Sequence, residues 1–268
     1  MSARFMAFRM NTGREAGVTL VELMVAMVLG LLLLGGVVSV YISGKQSNTA
    51  RDGWSLLQEN GRAAIRMLES GIAAAGYPRS EDSIALVVSD GDVPDWSNTF
   101  LTADGTPGDR VTVAFSPRDE CGPGEYFSCD CLGQATILAS VVNSYYLEDG
   151  RLMCRGSSGG AQPLVENVDA FQVRYGVDTD GDGVVDGAYR PATDLAADDW
   201  AQVIAVQIGL VVNSAMPVRD VPEDAPAPLR VLDFEYTAPT GPINGRLARR
   251  VFPSTIPLRN RADLCDGC

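Results

Sequence analysis

A continuous apolar segment near the N-terminus constrains this chain more than any other feature. Residues 18–42 form a run of 25 residues in which Glu22 is the only formal charge. As a helix this run would be about 37 Å long, which exceeds the roughly 30 Å thickness of a bilayer's hydrocarbon core. Arg4, Arg9 and Arg14 precede it, and positively charged flanks remain on the cytoplasmic side of a membrane. The sequence therefore predicts a membrane-spanning helix, with the bulk of the chain outside the cytoplasm.

The carboxylate of Glu22 would lie among lipid tails, where it costs about 2.5–3.5 kcal/mol and requires a partner. Cleavage of the chain after Gly17 would create an α-amine on Val18 at the same membrane depth. Glu22 of one subunit could then pair with the amine of a neighbouring subunit. No small-x-small cleavage site of a secretory signal follows the apolar run. The simpler alternative is a plain signal anchor that happens to contain a glutamate.

The order of residues 17–24, GVTLVELM, resembles the cleavage and methylation motif of type IV pilins and pseudopilins. The resemblance implies that a prepilin peptidase removes residues 1–17 as a leader by cutting after Gly17. It further implies that Val18 is methylated and that Glu22 aids subunit docking. The expected location is the inner membrane, crossed once, with a periplasmic head that later enters the base or tip of a pilus.

The apolar run continues into an amphipathic pattern. Apolar and small residues recur at three- and four-residue steps, which is typical of one helix face: Trp54, Leu57, Gly61, Ala64, Ile65, Leu68, Ile72 and Ala75. Gly76-Tyr77-Pro78 favours a helix end, because proline disfavours helical geometry in the preceding residue. We therefore predict one helix over residues 18–75, half membrane anchor and half spine of a head at 76–268, with Trp54 in the core.

The head shows the alternation of apolar and polar residues that is typical of strands. Strands are predicted at residues 110–116, 170–177, 201–212 and 232–236, the third as a central strand. The first two should be half-buried, the second with Gln172 and Arg174 on its polar face. Asp149-Gly150 predicts a hairpin turn, since both positions tolerate positive φ. The predicted fold class is α+β, with the long N-terminal helix packed on a largely antiparallel sheet.

Parts of the head also resemble the PilW-type minor pilins. The resemblance rests on residues 164–178, LVENVDAFQVRYGVD, on the Asp-Gly loop that follows, and on residues 249–252 and 258–261. It implies a minor pilin that helps to prime type IV pilus assembly and has no catalytic role. The implied partners are other minor and major pilins, the prepilin peptidase and the inner-membrane assembly platform. A minor pseudopilin of type II secretion and a membrane-tethered, calcium-dependent adhesin remain as alternatives.

Residues 178–186, DTDGDGVVD, match the first nine positions of a calcium-binding loop. The candidate ligands are four carboxylates and one backbone carbonyl: Asp178, Asp180, Asp182, Asp186 and Val184. Tyr189 stands where an EF-hand has its bidentate glutamate, and strands flank the loop, so an EF-hand is excluded. The remaining hypothesis is a β-loop held together by a bound calcium ion, with Asp194 as a candidate ligand from outside the loop. The alternative is a solvated hairpin whose Asp-Gly pairs only form turns.

Six cysteines in a chain that leaves the cytosol favour disulfides over a zinc site or a redox pair. They are Cys121, Cys129, Cys131, Cys154, Cys265 and Cys268. Six cysteines allow fifteen pairings, and the sequence does not choose among them.

Composition removes several classes of function. The net charge is −13 and the sequence contains no histidine. The lack of histidine excludes the Ser-His and Cys-His nucleophile pairs, and the acidic balance disfavours binding to phosphate backbones. A local arginine cluster near the C-terminus is interpreted as a soluble sheet edge or a partner contact: Arg246, Arg249, Arg250, Arg259 and Arg261. We therefore predict neither an enzyme nor a nucleic-acid-binding protein.

Overall fold

The computed structural model describes residues 17–75, 103–115, 128–136, 141–157 and 160–259. The chain divides into two compact units, residues 1–48 and residues 49–268. The helix α1, Leu20–Ala73, begins in the first unit and ends in the second. Its apolar part has a mean hydropathy of 2.6 and no buried residues, so by length and composition it can cross a membrane. The predicted helix end at residues 76–78 lies outside the described residues, and the division into 1–17, 18–75 and 76–268 stays a prediction.

The head in the second unit contains eleven described strands. They are β1 Arg110–Phe115, β2 Ser128–Cys129, β3 Ala135–Thr136, β4 Val141–Glu148, β5 Arg151–Gly156, β6 Ala161–Glu166, β7 Val168–Val177, β8 Val203–Asn213, β9 Leu229–Val231, β10 Phe234–Tyr236 and β11 Arg249–Pro257. One sheet has the order β1-β4-β5-β6, a second has the order β11-β8-β7, and β2-β3 and β9-β10 form two small pairs. Neighbouring strands in all of them run antiparallel. The predicted α+β fold class is confirmed.

Two strand positions and one hairpin turn are predicted correctly. The predicted strand at 201–212 corresponds to β8, which lies between β7 and β11 and is buried along nearly its whole length. The strand predicted at 110–116 corresponds to β1, although Ser116 is outside the described residues. Its predicted half-burial is wrong, because Thr112 and Ala114 on the second face are buried as well. Asp149 and Gly150 have φ of 49° and 71° between β4 and β5, which confirms the hairpin turn.

Two strand predictions are wrong in part. The single strand expected over residues 232–236 is a hairpin instead, because Leu232 has φ of 58° and turns the chain between β9 and β10. The strand β7 is buried on both faces rather than one, since Gln172 and Arg174 are also buried. The sequence alternation in β7 reflects a polar interior and not a solvated face.

The polar interior of β7 centres on Arg174. Its Nη1 donates to Asp109 Oδ2 at 3.0 Å, and its Nε donates to Asp233 Oδ1 at 2.7 Å. Asp109 also accepts the N–H groups of Gly105 and Val173. Burial raises the pKa of Asp109, although these hydrogen bonds and the charge of Arg174 oppose the rise. The cluster thereby ties the segment before β1 and the β9-β10 turn to β7.

Within the second unit, one face of α1 packs against the head. Its buried residues follow a helical repeat of three and four: Gly53, Leu57, Gly61, Ala64, Leu68 and Ile72. A Cβ added at Gly61 would overlap the ring of Phe252 on β11, and one added at Gly71 would overlap the hydroxyl of Tyr145 on β4. Glycine is therefore required at these positions because the head approaches the helix backbone closely.

The prediction that Trp54 belongs to the core is wrong. Its side chain is 45% exposed, whereas its neighbour Gly53 is buried against Val218. Consecutive helical residues are turned by about 100° from each other. Gly53 begins the buried face of α1, so Trp54 points away from it at the end where the head contact starts.

One outer strand of each large sheet contains proline. β6 ends the four-stranded sheet and includes Pro163, and β11 ends the three-stranded sheet and includes Pro253 and Pro257. Proline has no backbone N–H and cannot donate to an added strand.

Candidate functional site

The predicted processing motif lies at the start of α1. Gly17 and Val18 are exposed and precede the helix. Thr19 caps it: its carbonyl accepts the N–H of Leu23 at 3.1 Å, and its Oγ1 accepts the N–H of Glu22 at 3.3 Å. The Gly17–Val18 bond is therefore outside the regular hydrogen bonding of the helix.

Glu22 is the acidic residue of the first helical turn. Free backbone N–H groups give this turn a partial positive charge, which stabilises a carboxylate there. Thr19-Leu20-Val21-Glu22 has the spacing of a capping box, a sequence signal for a helix start that the processing motif alone does not include. Thr19 therefore fixes the position of the helix start relative to Glu22. The roles of Gly17, Val18 and Glu22 stay predictions.

The acidic loop follows β7 directly. It is anchored at both ends, because the N–H of Asp178 donates to Gln202 O at 2.9 Å and the N–H of Asp186 donates to Val177 O at 2.7 Å. Gly181 and Gly183 have φ near +80°, and their N–H groups donate to the two carboxylate oxygens of Asp178 at 2.7 and 2.8 Å. The loop therefore wraps around the buried carboxylate of Asp178.

Three of the predicted ligands come together in this loop. Carboxylate oxygens of Asp178, Asp180 and Asp186 lie within 4.8 Å of one another, so these three residues could hold a metal ion. Asp182 is not in the group, and its Oδ1 accepts the N–H of Val184 at 2.8 Å. The outside candidate Asp194 is not in the group either.

The charges of the loop act on the pKa of two of these carboxyls in opposite directions. The hydrogen bond from the backbone of Asp182 lowers the pKa of Asp180, but the negative charge of Asp182, desolvation and the charges of Asp186 and Asp178 outweigh it, so the pKa is raised. The side chain and backbone of Thr179 donate to Asp186 and lower its pKa. The neighbouring negative charges thus oppose ionisation of Asp180, and a bound cation would offset them.

Of the six cysteines, the described residues include three. Cys131 and Cys154 form a disulfide that joins the segment between β2 and β3 to β5. Cys129 is disulfide-bonded as well. Cys121, Cys265 and Cys268 lie outside the described part of the chain. The preference for disulfides over zinc is therefore supported at Cys131 and Cys154.

A peptide map of the unreduced protein should contain this disulfide. Trypsin cleavage on both sides of residues 152–155 releases a short peptide with Cys154, which we expect to stay joined to residues 119–151 until a reductant is added. Replacing both Cys131 and Cys154 by alanine should lower the free energy of unfolding by about 2–4 kcal/mol, because the unfolded chain loses a cross-link. A free thiol on Cys154 in the native protein would contradict the assignment.

The arginines near the C-terminus do not act as one patch. The Nε of Arg249 donates to Asp169 Oδ2 at 2.7 Å, and the guanidinium of Arg250 lies 5.7 Å from the centre of the Phe252 ring. Arg246 follows Gly245 in a short 3-10 helix, Arg259 comes just after β11, and Arg261 is outside the described residues. At least Arg249 serves the fold, since its charge is paired within the head.

Comparison with known proteins agrees with both resemblances. A family model described as Type IV Pilus-assembly protein W, PilW, matches residues 138–260, and a model of the prokaryotic N-terminal methylation motif matches residues 12–38. No curated protein matches the chain. Among solved structures, a type IV-like pilin from Thermus thermophilus is similar with a TM-score of 0.46 and 15% sequence identity, covering 76% of this chain and 98% of that one.

The methylation motif on a long apolar helix, followed by an antiparallel head, makes the chain similar to the class of type IV pilin-like proteins. Residues 138–260 of the head are similar to the PilW family, as the sequence resemblance had indicated. Proteins of this class are structural and interact with other components of a pilus. The motif and the apolar helix indicate that the chain is anchored in a membrane and bears a separate head.

Proposed function

We propose that this protein is a minor pilin that takes part in priming type IV pilus assembly. The proposal rests on the presence of an N-terminal methylation motif and a PilW-type head in the same chain. The PilW match favours a pilus over the related type II secretion apparatus. The chain is a structural component without catalysis, and it has no role in nucleic-acid binding.

The proposed sequence of events begins with the protein in the inner membrane, held by α1 with its head in the periplasm. The prepilin peptidase removes the leader after Gly17, and Val18 becomes the methylated N-terminus. The carboxylate of Glu22 then pairs with the new amine of a neighbouring pilin, because two opposite charges in lipid stabilise each other far more than either is stabilised alone. Other minor and major pilins and the assembly platform are the partners, at the pilus base or tip.

N-terminal sequencing of the membrane-extracted protein tests the first step. Cells with a prepilin peptidase should yield a chain that begins at N-methylated Val18, and cells without it should yield the uncut chain. Deletion of the gene then distinguishes a role in assembly from a role in adhesion. A role in assembly predicts the loss of pili, whereas a role in adhesion predicts normal pili that no longer attach. A mature chain that retains residues 1–17 would refute the proposal.

We further propose that the acidic loop binds a calcium ion, because hard carboxylate oxygens at alternate positions suit calcium. Titration calorimetry at millimolar calcium should detect binding. With a dissociation constant of about 0.1 mM, which is typical of extracellular sites, 1 mM calcium stabilises the fold by about 1.4 kcal/mol and raises Tm by about 3–5 °C.

The loop provides its own matched control for this titration. Asp180→Asn and Asp186→Asn should each abolish the heat and the rise in Tm, since both residues belong to the group of three carboxylates. Asp182→Asn removes the same charge from a residue outside the group and should retain most of the binding. If calcium produces no heat of binding with the unmodified protein, the calcium proposal is wrong and the loop is a solvated turn.

A further inference from the structure

The ten residues 43–52 of α1, SGKQSNTARD, are poorly suited to a helix. Serine, asparagine, threonine and aspartate side chains compete for backbone hydrogen bonds, and glycine has the greatest backbone freedom to lose. Six of the ten residues are of these types: Ser43, Gly44, Ser47, Asn48, Thr49 and Asp52. Sharp bends in helices also occur at Gly/Ser pairs, and Ser43-Gly44 is such a pair.

Packing supports α1 on only one side of this segment. Residues 43–48, 51 and 52 are exposed, Thr49 and Ala50 are half-buried, and the first buried residue of α1 is Gly53. The division between the two compact units falls inside the segment, after Asn48. Helices in water depend mostly on tertiary packing for their stability. Residues 43–52 must therefore be the least stable part of α1 in its aqueous portion.

The apolar run before the segment has a different reason to stay helical. In lipid, every backbone N–H and C=O must be hydrogen-bonded within the chain, so the run at 18–42 cannot open there. After the segment, the head holds the helix through buried side chains such as Leu57 and Leu68. Two stable helical parts are thus joined by a weak one.

We propose that residues 43–52 form a joint in α1. The joint opens locally while the helix on either side remains intact, so that the head can change direction on its anchor without leaving the membrane. Local opening of this kind requires a segment whose stability is far below that of the core.

Hydrogen exchange of the full-length protein in lipid nanodiscs tests the joint. Amides in residues 43–52 should exchange at least about tenfold faster than those in residues 57–72. The triple variant Gly44→Ala, Ser47→Ala, Asn48→Ala should slow this exchange about tenfold or more, since alanine favours the helix. The control Ser55→Ala, which changes an exposed residue beside the packed part, should leave exchange at 43–52 unchanged. Equal protection of 43–52 and 57–72, or no effect of the triple variant, would overturn the proposal.

The sequence supplies a second readout, because Lys45 is its only lysine and lies within the segment. A lysine-specific protease should cut the native protein after Lys45 and release residues 46–268, about tenfold more slowly in the triple variant. A Lys45→Arg, Arg62→Lys chain places the lysine in the packed part of α1 and should resist the protease. Equal cutting rates for a lysine at position 45 and a lysine at position 62 would overturn the proposal. So would a chain that stays uncut and whose amides at 43–52 are protected from exchange.

Discussion

Gly71→Ala should destabilise the head by about 1–3 kcal/mol, which lowers Tm by about 2–10 °C. A Cβ at this position overlaps the hydroxyl of Tyr145, a fully buried side chain on β4. Neither group can retreat without opening the core, so the strain exceeds the gain in helix propensity of about 1 kcal/mol that alanine brings. Denaturant titration of the detergent-solubilised chain, followed by tryptophan fluorescence, measures the change.

Two further variants isolate the cause of this loss. Tyr145→Phe removes the overlapping oxygen, so Gly71→Ala should cost about 1 kcal/mol less in the Tyr145→Phe background than in the natural sequence. Gly44→Ala makes the same substitution where nothing lies within 4 Å of the new methyl group, and it should not destabilise the head. Equal stabilities for Gly71→Ala and Gly44→Ala would show that close packing does not require glycine at position 71.

Glu22→Ala should leave the protein in the membrane but keep it out of pili. Removing the carboxylate eases insertion, because it abolishes a cost of about 2.5–3.5 kcal/mol. The same change removes the proposed partner of the Val18 amine, and each 1.4 kcal/mol of lost docking energy lowers incorporation tenfold. We expect the amount of this protein in sheared pili to fall at least about tenfold, while the membrane pool stays level on immunoblots.

Charge and shape can be separated at the same position. Glu22→Gln keeps the shape and loses the charge, so it should behave as Glu22→Ala does. Glu22→Asp keeps the charge on a shorter side chain and should retain part of the incorporation. Ser39→Ala alters another polar residue of the apolar run and should have no effect. Wild-type incorporation of Glu22→Ala would show that this charge has no part in docking.

Periodicity predicted the helix and the central strands because their patterns extend over many residues. It failed where a pattern meets a boundary: Trp54 fits the apolar repeat of α1, but the head contact begins beside it at Gly53 and leaves it exposed. The alternation from Leu232 to Tyr236 fits a strand, yet positive φ at Leu232 divides it from β9. Local sequence does not encode how far a neighbouring element reaches.

Functional residues could be predicted from the sequence where the residues that act together are close in the chain. The acidic loop is local, so its spacing led directly to Asp178, Asp180 and Asp186. The role of Asp182 stays a prediction, because its carboxylate accepts the N–H of Val184 and lies outside this group. The bond between Cys131 and Cys154 joins residues 23 positions apart, and no spacing rule selects it from fifteen pairings. Buried Arg174 was missed for the same reason, since its partners Asp109 and Asp233 are distant in sequence.

The prolines in β6 and β11 have a consequence for proteins that are stored side by side at high density. Crowded β-rich molecules tend to fuse along exposed strands into insoluble ribbons. Pro163, Pro253 and Pro257 interrupt the backbone donors that such fusion needs. At the β6 and β11 edges, crowded heads therefore meet without joining their sheets.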